Sequence, residues 1–184
     1  MDLDKELYHR FLEGDIAAFE ELVIKHKNGL IFFIERYIKD FHQAEDIAQE
    51  VFAQVFAFKE RYNFKYSFST YIYTLARNRA VDYLRKNSRI RLMVNEDQEY
   101  IEDSLIIEEA VIKKQEQRQV MEALKTLKGE YQAAIYLVDF MGLRYGEAAV
   151  ILGKSTPQFK ILLYRARQGL KHKLQKEGFN SEER

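Results

Sequence analysis

The sequence of 184 residues has no cysteine, no tryptophan, one proline and eight glycines. Without cysteine the chain can form no disulfide and offers no thiolate ligand to zinc. So few prolines and glycines leave little turn chemistry for a many-stranded sheet, which favours helices. No segment approaches the roughly 20 apolar residues of a membrane span, and the charged start lacks the apolar core of a signal peptide. We therefore predict a soluble, intracellular protein without membrane insertion.

Patterns typical of enzymes are also missing. The four histidines, His9, His26, His42 and His172, are scattered and form no helical pair at i, i+4, so a metal site is not expected. The sequence has no glycine-rich phosphate loop after a strand and no serine in a nucleophile-elbow pattern. We predict a protein that is not an enzyme, with no catalytic residues, no cofactor and no metal.

The charges are balanced overall, but they are sorted into blocks along the chain. Lys and Arg number 29, as do Asp and Glu. The net charge is −6 in residues 1–60, +7 in 61–92, −6 in 93–124 and +5 in 125–184. A net charge of zero argues against a protein that coats DNA indiscriminately, because long-range attraction scales with the summed field. It fits a protein that meets DNA at local patches or with help from a partner.

The segment 61–91 combines seven aromatic side chains with eight Lys and Arg residues and a single acid, Asp82. Aromatic faces stack on any unpaired base, and cations replace the counterions around phosphates. This composition indicates contact with nucleic acid that is at least partly single-stranded. Core filling is the alternative role for the rings, and we expect about half of them to be buried.

Hydrophobic periodicity predicts a helical bundle in the first half of the chain. A short opening helix is followed by a longer one capped by Asp15. A third runs from about His42 to Phe58, and a fourth starts near Ser69 or Thr70. Their apolar positions are spaced for one compact core.

Beyond the bundle the pattern changes twice. After the fourth helix the sequence becomes polar and acidic, which is typical of a linker. Helical periodicity then resumes to the end. We predict an all-α fold of two small helical domains, with an N-terminal helix bundle in 1–90, an acidic linker in 91–110 and a C-terminal helix-turn-helix in 111–184.

The C-terminal domain carries a helix, a tight turn and a second helix. The first helix spans 145–152, Gly153 makes the turn, and the second helix is entered through Ser155, Thr156 and Pro157. The apolar stripe of the second helix comprises Phe159, Leu163, Ala166 and Leu170, and a basic stripe comprises Lys160, Tyr164, Arg167 and Lys171. This arrangement predicts a helix-turn-helix whose second helix enters the major groove. A surface hairpin with a solvated basic face is the alternative.

Three segments together resemble a known family. They are AEDIAQEVFAQVF (44–56), FSTYIYTLARNRAVDYLRK (68–86) and GLRYGEAAVILGKSTPQFKILLYRARQGL (142–170). In this order and spacing they resemble the bacterial extracytoplasmic-function sigma factors of the sigma-70 family, whose two domains correspond to regions 2 and 4. The resemblance implies an alternative sigma factor that binds core RNA polymerase and promoter DNA, duplex at the −35 element and melted at the −10 element. It further implies a cytoplasmic, nucleoid-associated protein with an anti-sigma factor as partner.

The third helix is the expected polymerase-binding element. Asp46, Gln49, Glu50 and Ala53 fall at i, i+3, i+4 and i+7 and form a polar stripe opposite the apolar one. By itself such a stripe is an ordinary solvated face. The resemblance implies that Asp46, Gln49 and Glu50 dock on the clamp helices of the polymerase large subunit.

The resemblance also implies that the loop before the fourth helix captures a base flipped out of the −10 element. The candidate −10 residues are Asn63, Phe64, Lys65, Tyr66, Ser67, Tyr71, Arg77, Asn78 and Arg85. Their chemistry suits the role, because rings stack on bases, lysine meets phosphate and serine donates a hydrogen bond. Tyr71 stands where the family usually has tryptophan. Asp82 has an alternative local role, as a partner of Lys86 at i+4.

The second helix of the helix-turn-helix is the expected −35 reader. The candidate residues are Thr156, Gln158, Lys160, Ile161, Tyr164, Arg165 and Arg167. Ile161 and Leu162 replace the Ser-Arg pair common in the family, and neither donates a hydrogen bond to a base edge. Readout then depends on Gln158, Lys160 and Arg165, on contact between Ile161 and a thymine methyl group, or on duplex shape.

Two other functions remain open at this point. A stand-alone helix-turn-helix regulator would bind promoter duplex tightly without polymerase, and a structural helical adaptor would show no dependence on DNA. The linker has two possible roles as well: a soluble tether, or an acidic segment that runs toward the polymerase active centre.

Overall fold

The computed structural model describes residues 3–94 and 114–176, with side chains described in 3–88 and 119–176. The chain divides into two compact units, Met1–Ser104 and Leu105–Arg184. Every regular element in the described ranges is helical, which confirms the predicted all-α fold of two helical domains. Most of the predicted acidic linker, from residue 95 on, lies outside the described residues, and the exact domain bounds stay predictions.

The N-terminal unit is a bundle of four helices. They are α1 (Leu3–Leu12), α2 (Ile16–Ile38), α3 (Phe41–Ala57) and α4 (Phe68–Val94), with a single 3₁₀ turn (Lys59–Arg61) after α3. The long α2 packs against the other three, and α3 also packs against α4. Helices α3 and α4, which are predicted to bind polymerase and DNA, therefore lie side by side against α2.

Side-chain caps explain where the helices of the bundle begin. The carboxylate of Asp15 accepts a hydrogen bond from the backbone N–H of Ala18 at 3.2 Å and starts α2, as predicted. Asp40 does the same for α3 by accepting from the N–H of Gln43 at 3.0 Å. Between α1 and α2 the chain turns at Gly14, where φ is +103°, a conformation that glycine adopts without a steric penalty.

The bundle core is apolar and rich in aromatic rings. Its large, fully buried side chains are Tyr8, Phe11, Leu22, Leu30, Phe33, Ile34, Phe68, Ile72 and Tyr73. Phe58, the predicted end of the third helix, continues its apolar spacing but is 47% exposed. It follows the last residue of α3, where the backbone leaves the helix, and the Arg61 guanidinium covers its ring at 4.2 Å.

A buried polar cluster fastens α1 to α2. The Asp4 carboxylate contacts Nε2 of His26 at 2.8 Å and accepts a hydrogen bond from Nζ of Lys25 at 2.6 Å. Burial acts to raise the pKa of Asp4, but the hydrogen bonds from His26 and Lys25 outweigh it and hold that pKa below its ordinary value. The cluster therefore contains an ionised carboxylate at neutral pH.

The C-terminal unit is built around its last helix. Its elements are α5 (Lys114–Lys125), α6 (Gly129–Ile135), a π-helical turn that continues α6 (Tyr136–Phe140), α7 (Tyr145–Ile151) and α8 (Thr156–Lys176). Helix α8 packs against α5, α6 and α7. The buried Gln132 amide donates to the backbone carbonyls of Lys125 at 3.0 Å and Leu127 at 2.7 Å, and so ties the end of α5 to α6.

Candidate nucleic-acid and polymerase interfaces

Helices α7 and α8 form the predicted helix-turn-helix. The turn passes through Gly153 at φ +64°. Ser155 then caps α8 in a reciprocal arrangement: its hydroxyl accepts from the N–H of Gln158 at 3.4 Å, and the Gln158 side-chain oxygen accepts from the N–H of Ser155 at 3.0 Å. Gln158, a predicted −35 residue, therefore also helps to start the helix.

Burial divides α8 into a core side and a solvent side. Phe159, Leu162, Leu163 and Ala166 are buried. Leu162, which is not part of the predicted apolar stripe, is only 9% exposed and also packs into the unit. Leu170, expected in the core, is half-buried. The solvent side carries the predicted residues Thr156, Gln158, Lys160, Ile161, Tyr164, Arg165 and Arg167.

Two side chains on the solvent side are large, uncharged and highly exposed. Ile161 is 54% exposed and Tyr164 is 65% exposed. They are three positions apart on α8 and so lie on one face of the helix. An isoleucine methyl group can contact a thymine methyl group, and a tyrosine hydroxyl can bond to a phosphate. Lys160 and Arg165 flank them with positive charge.

Arg167 is engaged inside the C-terminal unit. Its guanidinium donates to Asp139 through two bonds, Nε to Oδ2 at 3.2 Å and Nη2 to Oδ1 at 2.5 Å. The hydrogen bonds that Arg167 donates to Asp139 raise the pKa of Arg167 further above its ordinary value. Because Asp139 lies on the π-helical turn, the pair joins that turn to α8. DNA contact by Arg167 stays a prediction, and it has to compete with this pair.

The outer side of α3 is polar, as predicted. Asp46, Gln49 and Glu50 are all exposed, and the opposite side of the helix is buried against the bundle. Glu50 also forms an ion pair with Arg79 of α4, whose guanidinium donates to the side-chain oxygen of Gln54 at 2.8 Å as well. Sequence reasoning missed Arg79, because the partners are 29 residues apart and no local pattern joins them.

Helix α4 presents the other predicted polar face. Asn78 and Arg85 are exposed and Arg77 is half-buried. Nη1 of Arg77 donates to the side-chain oxygen of Asn78 at 3.3 Å. Asp82 pairs with Arg85 at 3.5 Å, three positions apart, whereas the sequence suggested a pair with Lys86. The face is polar over at least two turns, with one weak internal ion pair.

Local hydrogen bonds shape the loop between the 3₁₀ turn and α4. The Asn63 side-chain oxygen accepts from the N–H of Lys65 at 2.9 Å, which forms a tight turn. Ser67 accepts from the N–H of Thr70 at 3.2 Å and caps α4. Two predicted −10 residues, Asn63 and Ser67, thus have structural roles in addition to any contact with DNA.

The aromatic side chains of this region are not equally available. Tyr66 is exposed and Phe64 is half-buried, but Phe68 is fully buried at the start of α4 and offers no face to a base. Tyr62 is buried, and its hydroxyl donates to the carbonyl of Tyr66 at 2.8 Å. Tyr71 packs on Tyr62 at 5.3 Å, and burial raises its pKa. The expectation that about half of the rings fill the core is consistent with this division.

Helix α1 supports the loop directly. Nζ of Lys5 donates to the carbonyl of Phe64 at 2.8 Å, and the Tyr8 hydroxyl donates to the carbonyl of Lys59 at 2.9 Å. The His9 ring stacks on the Phe64 ring, with centroids 4.1 Å apart and planes at 10°. These residues lie more than 50 positions from the loop, and no sequence signal identified them.

Over the described ranges 3–94 and 114–176, no group of three or more His, Asp or Glu side chains is arranged to hold a metal ion. In the same part of the chain, no helix has both the length and the apolar composition to span a membrane.

Comparisons with known proteins match two segments of the chain, one in each unit. The family model for Sigma-70 region 2 matches residues 22–90, which include α3 and most of α4. The model for Sigma-70 region 4 matches residues 117–170, which include α7 and most of α8. Helix α1 precedes the first matched segment.

Individual proteins are similar over nearly the whole chain. The ECF RNA polymerase sigma factor SigM of Bacillus subtilis is 31% identical, over 90% of this chain and 99% of its own length. The RNA polymerase sigma-H factor of Pseudomonas aeruginosa is 26% identical, over 94% of both chains. Among solved structures, the sigma factor RpoE of Bartonella quintana, crystallised with the anti-sigma factor NepR, matches with a TM-score of 0.70 and 25% identity, over 85% of this chain and 96% of its own.

Proposed function

The chain belongs to the extracytoplasmic-function sigma factors and directs promoter-specific transcription initiation, and we propose that three described surfaces divide this work. The outer side of α3 binds core RNA polymerase, the 63–67 loop with α4 captures the −10 element, and α8 reads the −35 element. The observation that carries the proposal is the exposure of polar or stacking side chains on all three surfaces within the matched segments.

The polymerase-binding role rests on Asp46, Gln49 and Glu50. They are exposed on one side of a helix whose other side is anchored in the core, so the surface is rigid before it binds. A fixed acidic surface suits a basic docking site. Glu50 also forms an ion pair with Arg79 of α4, so replacing it would disturb the bundle as well as the surface. Substitutions of Asp46 and Gln49 therefore test binding more directly.

The −10 role rests on the loop and on the exposed face of α4. Lys65 and Tyr66 are exposed next to the half-buried Phe64, which places a cation and stacking rings close together. Base stacking is worth about 1–3 kcal/mol per base, enough to offset much of the unstacking of an extruded base. Asn78 and Arg85 then extend the contact along the DNA, with Arg77 and Tyr71 beside them.

The −35 role rests on the solvent side of α8. Its first turn carries Thr156 and Gln158, and the positions that follow carry Lys160, Ile161 and Arg165, so the N-terminal half of the helix supplies most of the readout. Neither Ile161 nor the buried Leu162 supplies a hydrogen bond to a base. Polar readout is therefore assigned to Gln158, Lys160 and Arg165.

An anti-sigma factor is the proposed regulatory partner. The similar sigma factor RpoE of Bartonella quintana was solved with its anti-sigma factor NepR, and a protein that covers the α3 or α8 surface of this chain would block its action. The action takes place at the nucleoid in the cytoplasm, where RNA polymerase lies, and requires no catalytic residue of this chain.

Run-off transcription with purified core RNA polymerase and a genomic promoter library tests the proposal. We expect specific transcripts with the wild-type chain and, for Asp46→Lys, core binding weakened about tenfold, since charge reversal opposes a complementary surface. Glu20→Ala, an exposed α2 acid outside the proposed surfaces, is the matched control. Tight duplex binding without core enzyme and without transcripts would instead indicate a stand-alone regulator.

A further inference from the structure

The Phe64 ring already has a partner on one face. The His9 ring lies parallel to it, with 4.1 Å between centroids and 10° between planes. This is the geometry that a stacked nucleobase adopts on an aromatic side chain. His9 is exposed, whereas Phe64 is half-buried, so the histidine is on the solvent side of the pair.

Other contacts hold Phe64 in place independently of His9. Its carbonyl accepts the hydrogen bond from Lys5 at 2.8 Å. Its ring contacts Tyr62 at 4.6 Å, tilted by 53°, and Tyr8 edge-on at 5.9 Å. Tyr8 and Tyr62 are themselves buried. Phe64 is therefore a fixed platform, and His9 is its one exposed neighbour among these rings.

His9 can leave without undocking α1. The helix is anchored by its buried residues Asp4, Leu7, Tyr8 and Phe11. His9 points away from that core and its exposed side chain is free to change rotamer, which takes picoseconds to nanoseconds for an exposed residue. Departure of the imidazole would expose one face of a ring that is already positioned.

We propose that His9 is a placeholder that occupies the stacking face of Phe64 until an extruded −10 base displaces it. Stacking of the base on the fixed Phe64 ring stabilises the captured state, and the lost His9–Phe64 contact opposes it. His9 thus sets the threshold for base capture: a base that stacks weakly does not displace it. The residue is a specificity and positioning residue for promoter opening. It lies on α1, outside the segment matched by Sigma-70 region 2.

This inference rests on the proposed function, because it assumes that Phe64 stacks on a promoter base. The experiment measures binding of a fluorescent single-stranded oligonucleotide, the nontemplate −10 strand of a promoter that the holoenzyme transcribes, to reconstituted holoenzyme. The variants are His9→Ala, His9→Phe, Phe64→Ala and the double variant His9→Ala with Phe64→Ala. Glu6→Ala, which replaces an exposed acid on α1, is the control.

We expect His9→Ala to tighten binding about three- to tenfold, since it removes one exposed aromatic contact that competes with the base. His9→Phe keeps the face covered and should bind no more tightly than wild type. The gain should vanish when Phe64 is also replaced, because the two residues act on the same step. Glu6→Ala should match wild type.

Three results overturn the proposal in distinguishable ways. If binding depends on Phe64 but His9→Ala leaves it unchanged or weaker, His9 is not a placeholder and base capture by Phe64 still holds. If binding does not depend on Phe64 at all, the −10 role of Phe64 fails and the placeholder fails with it. A gain from His9→Ala that persists in the Phe64→Ala background also contradicts it. Circular dichroism of each variant establishes that the bundle remains folded.

Discussion

Replacing Asp4 should weaken the attachment of α1 to the bundle. Its buried carboxylate is bonded to His26 at 2.8 Å and to Lys25 at 2.6 Å. A hydrogen bond to a charged group contributes about 1.5–3 kcal/mol. The half-exposed Lys25 regains water when its partner is lost, but the buried His26 does not. We therefore expect Asp4→Ala to lower the free energy of unfolding by about 2–3 kcal/mol at pH 7.

The same cluster predicts a pH dependence. The pKa of Asp4 in the folded protein lies below its ordinary value of 3.8. A depressed carboxyl pKa contributes stability that is fully present above the unfolded-state value and is lost as the pH falls through the folded-state value. The difference in stability between wild type and Asp4→Asn should be largest near neutrality and should shrink below about pH 4.

Urea denaturation followed by far-ultraviolet circular dichroism measures both effects. The full chain has two units, so the transition of the N-terminal unit is identified as the one that Asp4→Ala moves. Glu6→Ala, exposed on the same helix, is the control and should change the midpoint little. A loss below about 0.5 kcal/mol, the level of an ordinary surface substitution, would refute the reasoning. So would a difference between wild type and Asp4→Asn that does not shrink in acid.

Three further predictions concern the C-terminal unit. Asp139→Ala and Arg167→Ala should each cost at most about 1 kcal/mol in thermal unfolding, since the pair is partly exposed, and the double variant should cost no more than one single change; additive costs would contradict the pairing. Gln132→Ala should cost about 1–3 kcal/mol, because two carbonyls lose their buried donor; a neutral result in urea denaturation would contradict this. Ile161→Ala should weaken −35 duplex binding by about 0.8 kcal/mol, with no further loss when the contacted thymine is replaced by uracil; an additive loss in a gel shift would exclude methyl contact.

Helix positions were predictable because their signals are local. The cap at Asp15 and the turn at Gly153 involve residues within three or four positions of each other, so the sequence alone located the start of α2 and the helix-turn-helix. Burial at helix ends was less predictable. Phe58 fits the apolar spacing of α3 but lies one residue beyond it, where the side chain turns toward solvent.

The candidate sites were also predictable only in part. Periodicity correctly placed Asp46, Gln49 and Glu50 on one exposed face, because exposure follows from the phase of a helix whose other side is apolar. It did not reveal that Leu162 is buried in α8. Two adjacent apolar residues, Ile161 and Leu162, lie about 100° apart, and only the packing of α8 decides which one faces inward.

By itself the sequence determined the helical class, the order of the two domains, the capped helix starts and the resemblance to sigma factors, since each depends on residues close together along the chain. Only the tertiary structure placed His9 on Phe64, Arg79 on Glu50 and Asp4 on His26. These contacts join residues 22 to 55 positions apart in the sequence. Their existence depends on how the helices pack, and helix packing brings such side chains together without leaving a pattern in either segment alone.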